Sequence, residues 1–218
     1  MAYGEKLRKL NPSPDALIFA ALRRAVPEAE TLLDVACGRG DRLRALAAEF
    51  PSLRLSGADA DAEMAARAAE ACPAAEIAAA DAAALPFAPA SFDAVLCECS
   101  FSLFPDMAEA AREITRVLRP GGALLLGDLY ARADADAALA VPANGTVRTV
   151  CGRGRLEALF DAAGLTAEEF ADRSGDLAQL LGQMLFDGTL CDCLPAEALR
   201  RMKGWRTGYG LWTFRRPA

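Results

Sequence analysis

Two acidic residues and a glycine turn near the N-terminus have the types and spacing to bind a small ligand. Asp34 precedes the turn Cys37–Gly40, and Asp59 ends the next predicted strand. Glycines allow a ligand to approach the backbone where a Cβ would collide with it. A carboxylate just ahead of the turn would repel a pyrophosphate, but it suits a positive group such as the ammonium of an amino acid. The pattern predicts a site for a small molecule with a cationic end.

A strand, a turn and a helix would position these residues. Residues 31–36 are apolar except for Asp34, which is typical of a short strand buried on both faces. Residues 41–50 carry apolar side chains at helical spacing. This order opens a nucleotide-type βαβ unit. The dinucleotide pattern Gly-x-Gly-x-x-Gly is incomplete, because Leu43 stands where the third small residue is expected.

The second predicted strand, residues 53–58, leads to Asp59. An acidic residue at this position is placed to accept hydrogen bonds from both hydroxyls of a ribose. The alternative is a surface turn that caps the following helix, a role that Asp61 fits better.

The rest of the chain alternates helical and strand patterns without a repeat or a second domain. The connection 131–150 is alanine-rich and is interpreted as partly loop. The other predicted helices are 15–24, 61–72, 106–118, 153–163 and stretches around 177–186 and 195–202; the other predicted strands are 75–80, 92–97, 123–128, 165–170 and 208–215.

Four stretches in this order resemble the class I S-adenosylmethionine-dependent methyltransferases: Asp34-Val-Ala-Cys-Gly-Arg-Gly40, Asp59, Ala80-Asp81 and Leu118-Arg-Pro-Gly-Gly122. The family usually has glycine where this chain has Ala36. The resemblance implies an α/β fold, a Rossmann-like, doubly wound, seven-stranded, mostly parallel sheet with an antiparallel last strand. It also implies one domain over residues 1–218.

The resemblance also implies the cofactor and its contacts. The cofactor would be S-adenosylmethionine, with S-adenosylhomocysteine as its product; Asp59 would bind the ribose and Asp81 the adenine amino group. The leading segment 1–30 often closes over the cofactor in this family, with Tyr3 as a lid residue; a helix packed on the sheet edge is the alternative. The expected cofactor contacts are Asp34, Ala36, Cys37, Gly38, Gly40, Asp59, Ala60, Asp81, Ala82 and Cys97.

The expected reaction is in-line transfer of a methyl group to a small-molecule acceptor. The sulfonium methyl is already activated, so the enzyme mainly aligns the acceptor and excludes water. The chain has no histidine, and the candidates for a base are Glu98, Asp128 and Tyr130, at or just beyond the carboxyl ends of central strands. Each is equally well explained as a surface or capping residue. The helical insertion 174–205 is expected to contribute to the acceptor site.

Two other functions stay open. Cys151, together with Cys72 and Cys191 or Cys193, resembles the thiolate sets of arsenite methyltransferases, although scattered structural thiols explain the seven cysteines as well. The chain is also compatible with a catalytically silent module that only binds the cofactor.

Composition narrows the partners. A net charge of −6 and the absence of a basic cluster argue against nucleic acid. No apolar run is long enough to cross a membrane, and no signal peptide precedes the first helix, so a cytoplasmic protein is expected. An odd number of cysteines disfavours a disulfide framework, and Cys-x-Cys spacing does not suit zinc, so no metal is expected. The oligomeric state is not indicated by the sequence.

Overall fold

A computed structural model of the protein describes residues 12–132, 138–143, 146–186 and 206–218. Strands and helices alternate through most of this length, as the sequence predicts. The helices are α1 (Asp15–Ala25), α2 (Asp41–Glu49), α3 (Ala62–Ala71), α4 (Met107–Val117), α5 (Arg153–Ala162) and α6 (Ser174–Phe186); the strands are β1 (Thr31–Val35), β2 (Arg54–Asp59), β3 (Glu76–Ala79), β4 (Phe92–Glu98), β5 (Leu118–Ala131), β6 (Ala138–Ala143), β7 (Thr146–Cys151), β8 (Thr166–Asp172) and β9 (Thr207–Arg215).

The main sheet has the strand order β3-β2-β1-β4-β5-β9-β8. Strands β1 to β5 are parallel, and β9 runs antiparallel to both of its neighbours. This confirms the predicted seven-stranded, mostly parallel sheet with an antiparallel last strand. The order reverses between β1 and β4, and such a reversal opens a crevice at the carboxyl ends of the strands.

One hydrophobic core lies on each face of the sheet. Successive strand residues alternate between faces. Leu33 and Val95 therefore join α4 and α5 in one core, while Leu32 and Leu96 join α1, α2 and α3 in the other. Cover on both faces explains why the central strands read as nearly continuous apolar runs.

The connection 131–150, interpreted as partly loop, contains two strands that the sequence analysis did not predict. Strands β6 and β7 pair antiparallel, with Ala138 opposite Cys151 and Pro142 opposite Val147. Alanine and proline both disfavour strands, which hid the pattern. The dipeptide Asn144-Gly145 between the two strands is a typical hairpin connection and was the better signal.

Other boundaries differ modestly. Strand β5 begins at Leu118, before the glycine pair, and β8 extends to Asp172.

The predicted helix around 195–202, together with Tyr3, Cys191 and Cys193, lies outside the described residues. In the described ranges, every helix is too short or too polar to traverse a lipid bilayer.

Candidate functional site

The turn after β1 presents an open backbone surface at Gly38. Gly38 and Gly40 have φ angles of 56° and 76°. A Cβ added at Gly38 would meet nothing within 4 Å, whereas one at Gly40 would lie 2.9 Å from the Cα of Ala68 in α3. Gly38 therefore leaves room for a ligand, and Gly40 lets helices α2 and α3 approach each other.

Ala36, at the start of the same turn, also has a left-handed backbone, with a φ of 59°. This conformation costs an L-residue roughly 1–2 kcal/mol relative to right-handed backbone. The family preference for glycine at this position therefore has a conformational cause here, and alanine occupies it under strain.

Asp34 is a buried carboxyl group at the carboxyl end of β1. Only 4% of the residue is exposed, and within the described ranges its carboxylate accepts no hydrogen bond. Burial raises its pKa well above the usual value, and the nearby Glu98 raises it further, while Arg42 lowers it. A cationic group beside Asp34 would stabilise the ionised form.

Asp59 is tied to the glycine turn, while Asp61 caps a helix. The Gly38 N–H donates to Asp59 Oδ2 at 2.8 Å, and the Asp61 N–H donates to Asp59 Oδ1 at 3.0 Å. The Asp61 carboxylate accepts from the N–H groups of Glu63 and Met64 at the start of α3, which confirms its predicted capping role. Each Asp59 oxygen keeps a lone pair for another donor.

The segment after β3 forms an irregular loop beside these residues. Asp81 accepts a hydrogen bond from the Ala83 N–H at 2.9 Å, and the side chain of Ala82 is buried. In the sheet, β3 lies next to β2, so Asp81 and Asp59 both follow adjacent parallel strands. The two residues therefore share the carboxyl edge of the sheet.

Two predicted cofactor contacts turn their side chains into the protein. Cys97 is fully buried in β4, in register with Val35, and Cys37 is 8% exposed. Burial raises the pKa of both thiols well above the usual range. Cys97 therefore exposes almost no surface to a ligand, and Cys37 exposes little.

Glu98 and Asp128, two of the candidate bases, are both paired with arginines. Arg42 contacts Glu98 through Nε at 2.6 Å and Nη2 at 3.1 Å. The Asp128 carboxylate accepts from Arg148 at 2.9 Å, from both the N–H and the hydroxyl of Ser102, and from the Leu129 N–H. Both carboxylates are thus held in hydrogen-bonded ion pairs near the ends of β4 and β5.

Tyr130, the third candidate, lies in an aromatic corner. Its ring meets Phe170 and Trp212 edge-on at centroid distances of 5.4 and 5.6 Å. Burial raises the pKa of its phenol, and the adjacent Asp172 carboxylate raises it further. The neutral phenol is therefore the favoured form, which suits packing and hydrogen-bond donation better than proton abstraction.

Known proteins resemble this chain in sequence and in fold. Residues 33–126 match the family model described as a methyltransferase domain. A 2-methyl-6-phytyl-1,4-hydroquinone methyltransferase from Synechocystis sp. is 31% identical over 198 residues, which are 87% of this chain and 60% of that protein. A demethylmenaquinone methyltransferase from Thermotoga maritima is 36% identical over 100 residues, 46% of this chain and 44% of that protein. The chain thus spans less than two thirds of either relative.

The sequence matches are thus to methyltransferases. The crystal structure of the cyclase SpnF shares the fold with a TM-score of 0.74 and 24% identity, covering 94% of this chain and 82% of that one. The fold itself is therefore not restricted to one reaction, and the residues of the site must carry the functional argument.

The structure also contains a buried polar group that the sequence did not reveal. The Tyr209 hydroxyl, on β9, lies 3.0 Å from Ser13 Oγ and 3.7 Å from Cys99 Sγ. It also lies directly over Gly127 of β5, where a Cβ would collide with it. Cys99 has a φ of 57°, a strained backbone at the end of β4.

Both of the reactive groups in this cluster are protonated at neutral pH. Burial raises the pKa of Tyr209 well above its usual value, and burial near Asp128 and Glu98 raises that of Cys99 to about 12. Tyr209 and Cys99 therefore act as hydrogen-bond donors. No local pattern could indicate the cluster, because β9 reaches it from the far end of the chain.

The thiols of the described chain do not assemble into a soft-metal site. Cys72 belongs to the core beneath α1, α2 and α3, whereas Cys151 belongs to the core on the opposite face of the sheet. Among the described residues, no group of three or more metal-ligating side chains comes together. A shared arsenic centre that includes Cys72 and Cys151 is thus wrong, and structural thiols account for this pair.

Proposed function

We propose that the chain transfers the methyl group of S-adenosylmethionine to a small-molecule acceptor by in-line displacement. The observation that carries this proposal is the turn at Gly38, which is open on one side and is flanked by two carboxylates. Asp34 has no hydrogen-bond donor among the described residues, and Asp59 is fixed by the turn itself.

The residues of the site fit the parts of this cofactor. Asp34 would face the cationic amino acid end, and Asp59 would accept from the ribose hydroxyls. Asp81 would accept from the adenine amino group. The backbone of Ala36, Cys37, Gly38 and Gly40 would form the floor below the cofactor, with Ala60, Ala82 and Cys97 completing its surroundings.

The protein contributes positioning more than acid–base chemistry to this reaction. When bound, the cofactor supplies a sulfonium methyl that is already activated for displacement. The carboxylates of Glu98 and Asp128 are both occupied by arginine partners. We infer that the acceptor enters with its own nucleophile available and that the site aligns it and excludes water.

The names of the two relatives suggest the class of acceptor. One is named for a hydroquinone and the other for a quinone, demethylmenaquinone. We propose a hydroquinone-type ring as the acceptor of this chain.

Calorimetry with S-adenosylhomocysteine tests the cofactor site, and a turnover assay then tests the acceptor. In calorimetry we expect S-adenosylhomocysteine to bind with micromolar affinity. In the turnover assay, we expect S-adenosylmethionine to be converted to S-adenosylhomocysteine when a hydroquinone is added, and not when an organic acid such as trans-aconitate is added. Binding without turnover on any acceptor would favour the silent cofactor-binding module. Failure to bind the cofactor would refute the proposal.

A further inference from the structure

Helix α4 holds the loop that follows β3 through one acidic and one basic side chain. The Leu85 N–H donates to Glu113 Oε2 at 2.8 Å. Arg116 donates to the carbonyl oxygens of Leu85 at 2.9 Å and Phe87 at 2.8 Å. The two side chains thus contact both the donor and the acceptor groups of this loop.

Glu113 and Arg116 also hold each other. Arg116 Nε and Nη2 donate to the two Glu113 oxygens at 2.6 and 2.8 Å. The pKa of Glu113 is lowered chiefly by the hydrogen bond from Arg116, so the ion pair is intact at neutral pH. A planar guanidinium satisfies a carboxylate and two carbonyls at once, which a lysine ammonium does not. The pair forms a clamp, defined here as Glu113 and Arg116.

The clamped segment has little regular structure to hold it otherwise. Between β3 and β4, the chain forms turns, with the Ala84 N–H bonded to the Asp81 carbonyl at 3.0 Å. Leu85 is 4% exposed, and the ring of Phe87 packs edge-on against Phe92 at 5.2 Å. The clamp fixes the backbone at the far end of the same loop that begins with Asp81.

We propose that Glu113 and Arg116 are positioning residues for recognition of the adenine ring. They act through the loop 81–87, by fixing the direction in which Asp81 and the buried Leu85 face the cofactor. This inference rests on the proposed function, which puts the adenine beside Asp81. It adds two residues on α4 that contact no part of the cofactor themselves.

The same helix supplies a matched control. Glu109 and Arg112 form an ion pair with the same three-residue spacing, one turn earlier on α4. Both side chains are more exposed than those of the clamp, and the hydrogen bonds of Arg112 go to Glu109 alone among the described residues. Arg112→Lys therefore changes an α4 ion pair without touching the loop.

The test compares Arg116→Lys with Arg112→Lys by calorimetry. We expect Arg116→Lys to weaken S-adenosylhomocysteine binding about tenfold, because a displaced loop loses a charged hydrogen bond to adenine. Arg112→Lys should bind like the unmodified protein. The second ligand is S-inosylhomocysteine, in which the adenine amino group is replaced by oxygen. Arg116→Lys should narrow the preference for S-adenosylhomocysteine over this analogue by a similar factor.

The outcomes separate the clamp from the proposed function. If the unmodified protein does not bind S-adenosylhomocysteine, the proposed function fails and the clamp fails with it. If it binds and both variants match it, or if Arg116→Lys weakens both ligands equally, only the clamp is overturned. Should Arg116→Lys not fold, Glu113→Gln against Glu109→Gln makes the same comparison with a side chain that still accepts from Leu85.

Discussion

Substituting Gly38 by alanine separates ligand approach from backbone strain. Gly38 has a positive φ, and a Cβ placed on it meets no protein atom within 4 Å. Gly121, near the amino end of β5, shares both properties, with a φ of 78° and nothing within 4 Å. Gly121 lies at the opposite end of the sheet from the proposed cofactor site. The two alanine variants therefore differ in their distance from the ligand and not in the kind of strain.

The structure allows the magnitudes to be estimated. Left-handed backbone costs alanine roughly 1–2 kcal/mol, so both variants should lose about that much unfolding free energy. An extra methyl group forced into a packed contact costs about 1–3 kcal/mol. Only Gly38→Ala introduces this contact, against the bound cofactor. Its affinity for S-adenosylhomocysteine should fall by roughly 5- to 150-fold, while Gly121→Ala keeps the original affinity.

Thermal unfolding and calorimetry on both variants are the assays. Similar losses of stability, with weaker binding in Gly38→Ala alone, would support the loop as the cofactor floor. If Gly38→Ala binds S-adenosylhomocysteine like Gly121→Ala, the cofactor does not approach this turn. The assignment of the open surface would then be wrong, whatever the effect on stability.

Three further predictions concern neighbouring residues. Ala36→Gly should raise the unfolding free energy by about 1 kcal/mol in chemical denaturation, because it relieves left-handed strain. Asp59→Ala should weaken S-adenosylhomocysteine more than tenfold in calorimetry, whereas Asp61→Ala should cost about 1 kcal/mol of stability and leave affinity unchanged. Burial raises the pKa of Asp34 in the folded protein. The contribution of the protonated Asp34 to the free energy of unfolding is therefore full below the usual aspartate pKa, and it is lost as the pH rises through the pKa of Asp34 in the folded protein. A ligand ammonium favours the ionised Asp34, so binding of the ligand should tighten as the pH rises between these two pKa values. Binding in this pH range should release a proton, and Asp34→Asn should abolish that release.

The order of elements followed from sequence patterns because the central strands are buried on both faces. The run around Asp34 and the run after Asp93 are apolar for that reason, and the glycines after the first run mark a turn. The hairpin β6–β7 was missed because β6 contains alanine and proline, although the valines and threonines of β7 are typical of a strand.

The candidate site was predictable where its residues are adjacent in sequence to a strand end. Asp34, Asp59 and Asp81 each follow or end a parallel strand, so topology alone brings them to one edge. The pairing of Glu98 with Arg42 could not be predicted, because it joins the end of β4 to a residue on α2 with no shared pattern. Tyr209 was missed because it lies far along the chain from Ser13 and Cys99, which its hydroxyl contacts.

The negative charges at the carboxyl ends of β1, β2 and β4 favour the proposed cofactor over its product. Asp34 is buried near the carboxylates of Glu98 and Asp59, and Arg42 offsets only part of their negative charge. Such a cluster favours a ligand with an additional positive charge. S-adenosylmethionine carries a sulfonium that S-adenosylhomocysteine lacks, so the site is electrostatically better suited to the donor than to the product. This difference in charge favours release of the product after transfer. The barrier to the transfer step itself is lowered because the site aligns an acceptor whose nucleophile is already electron-rich, so no dedicated base is needed.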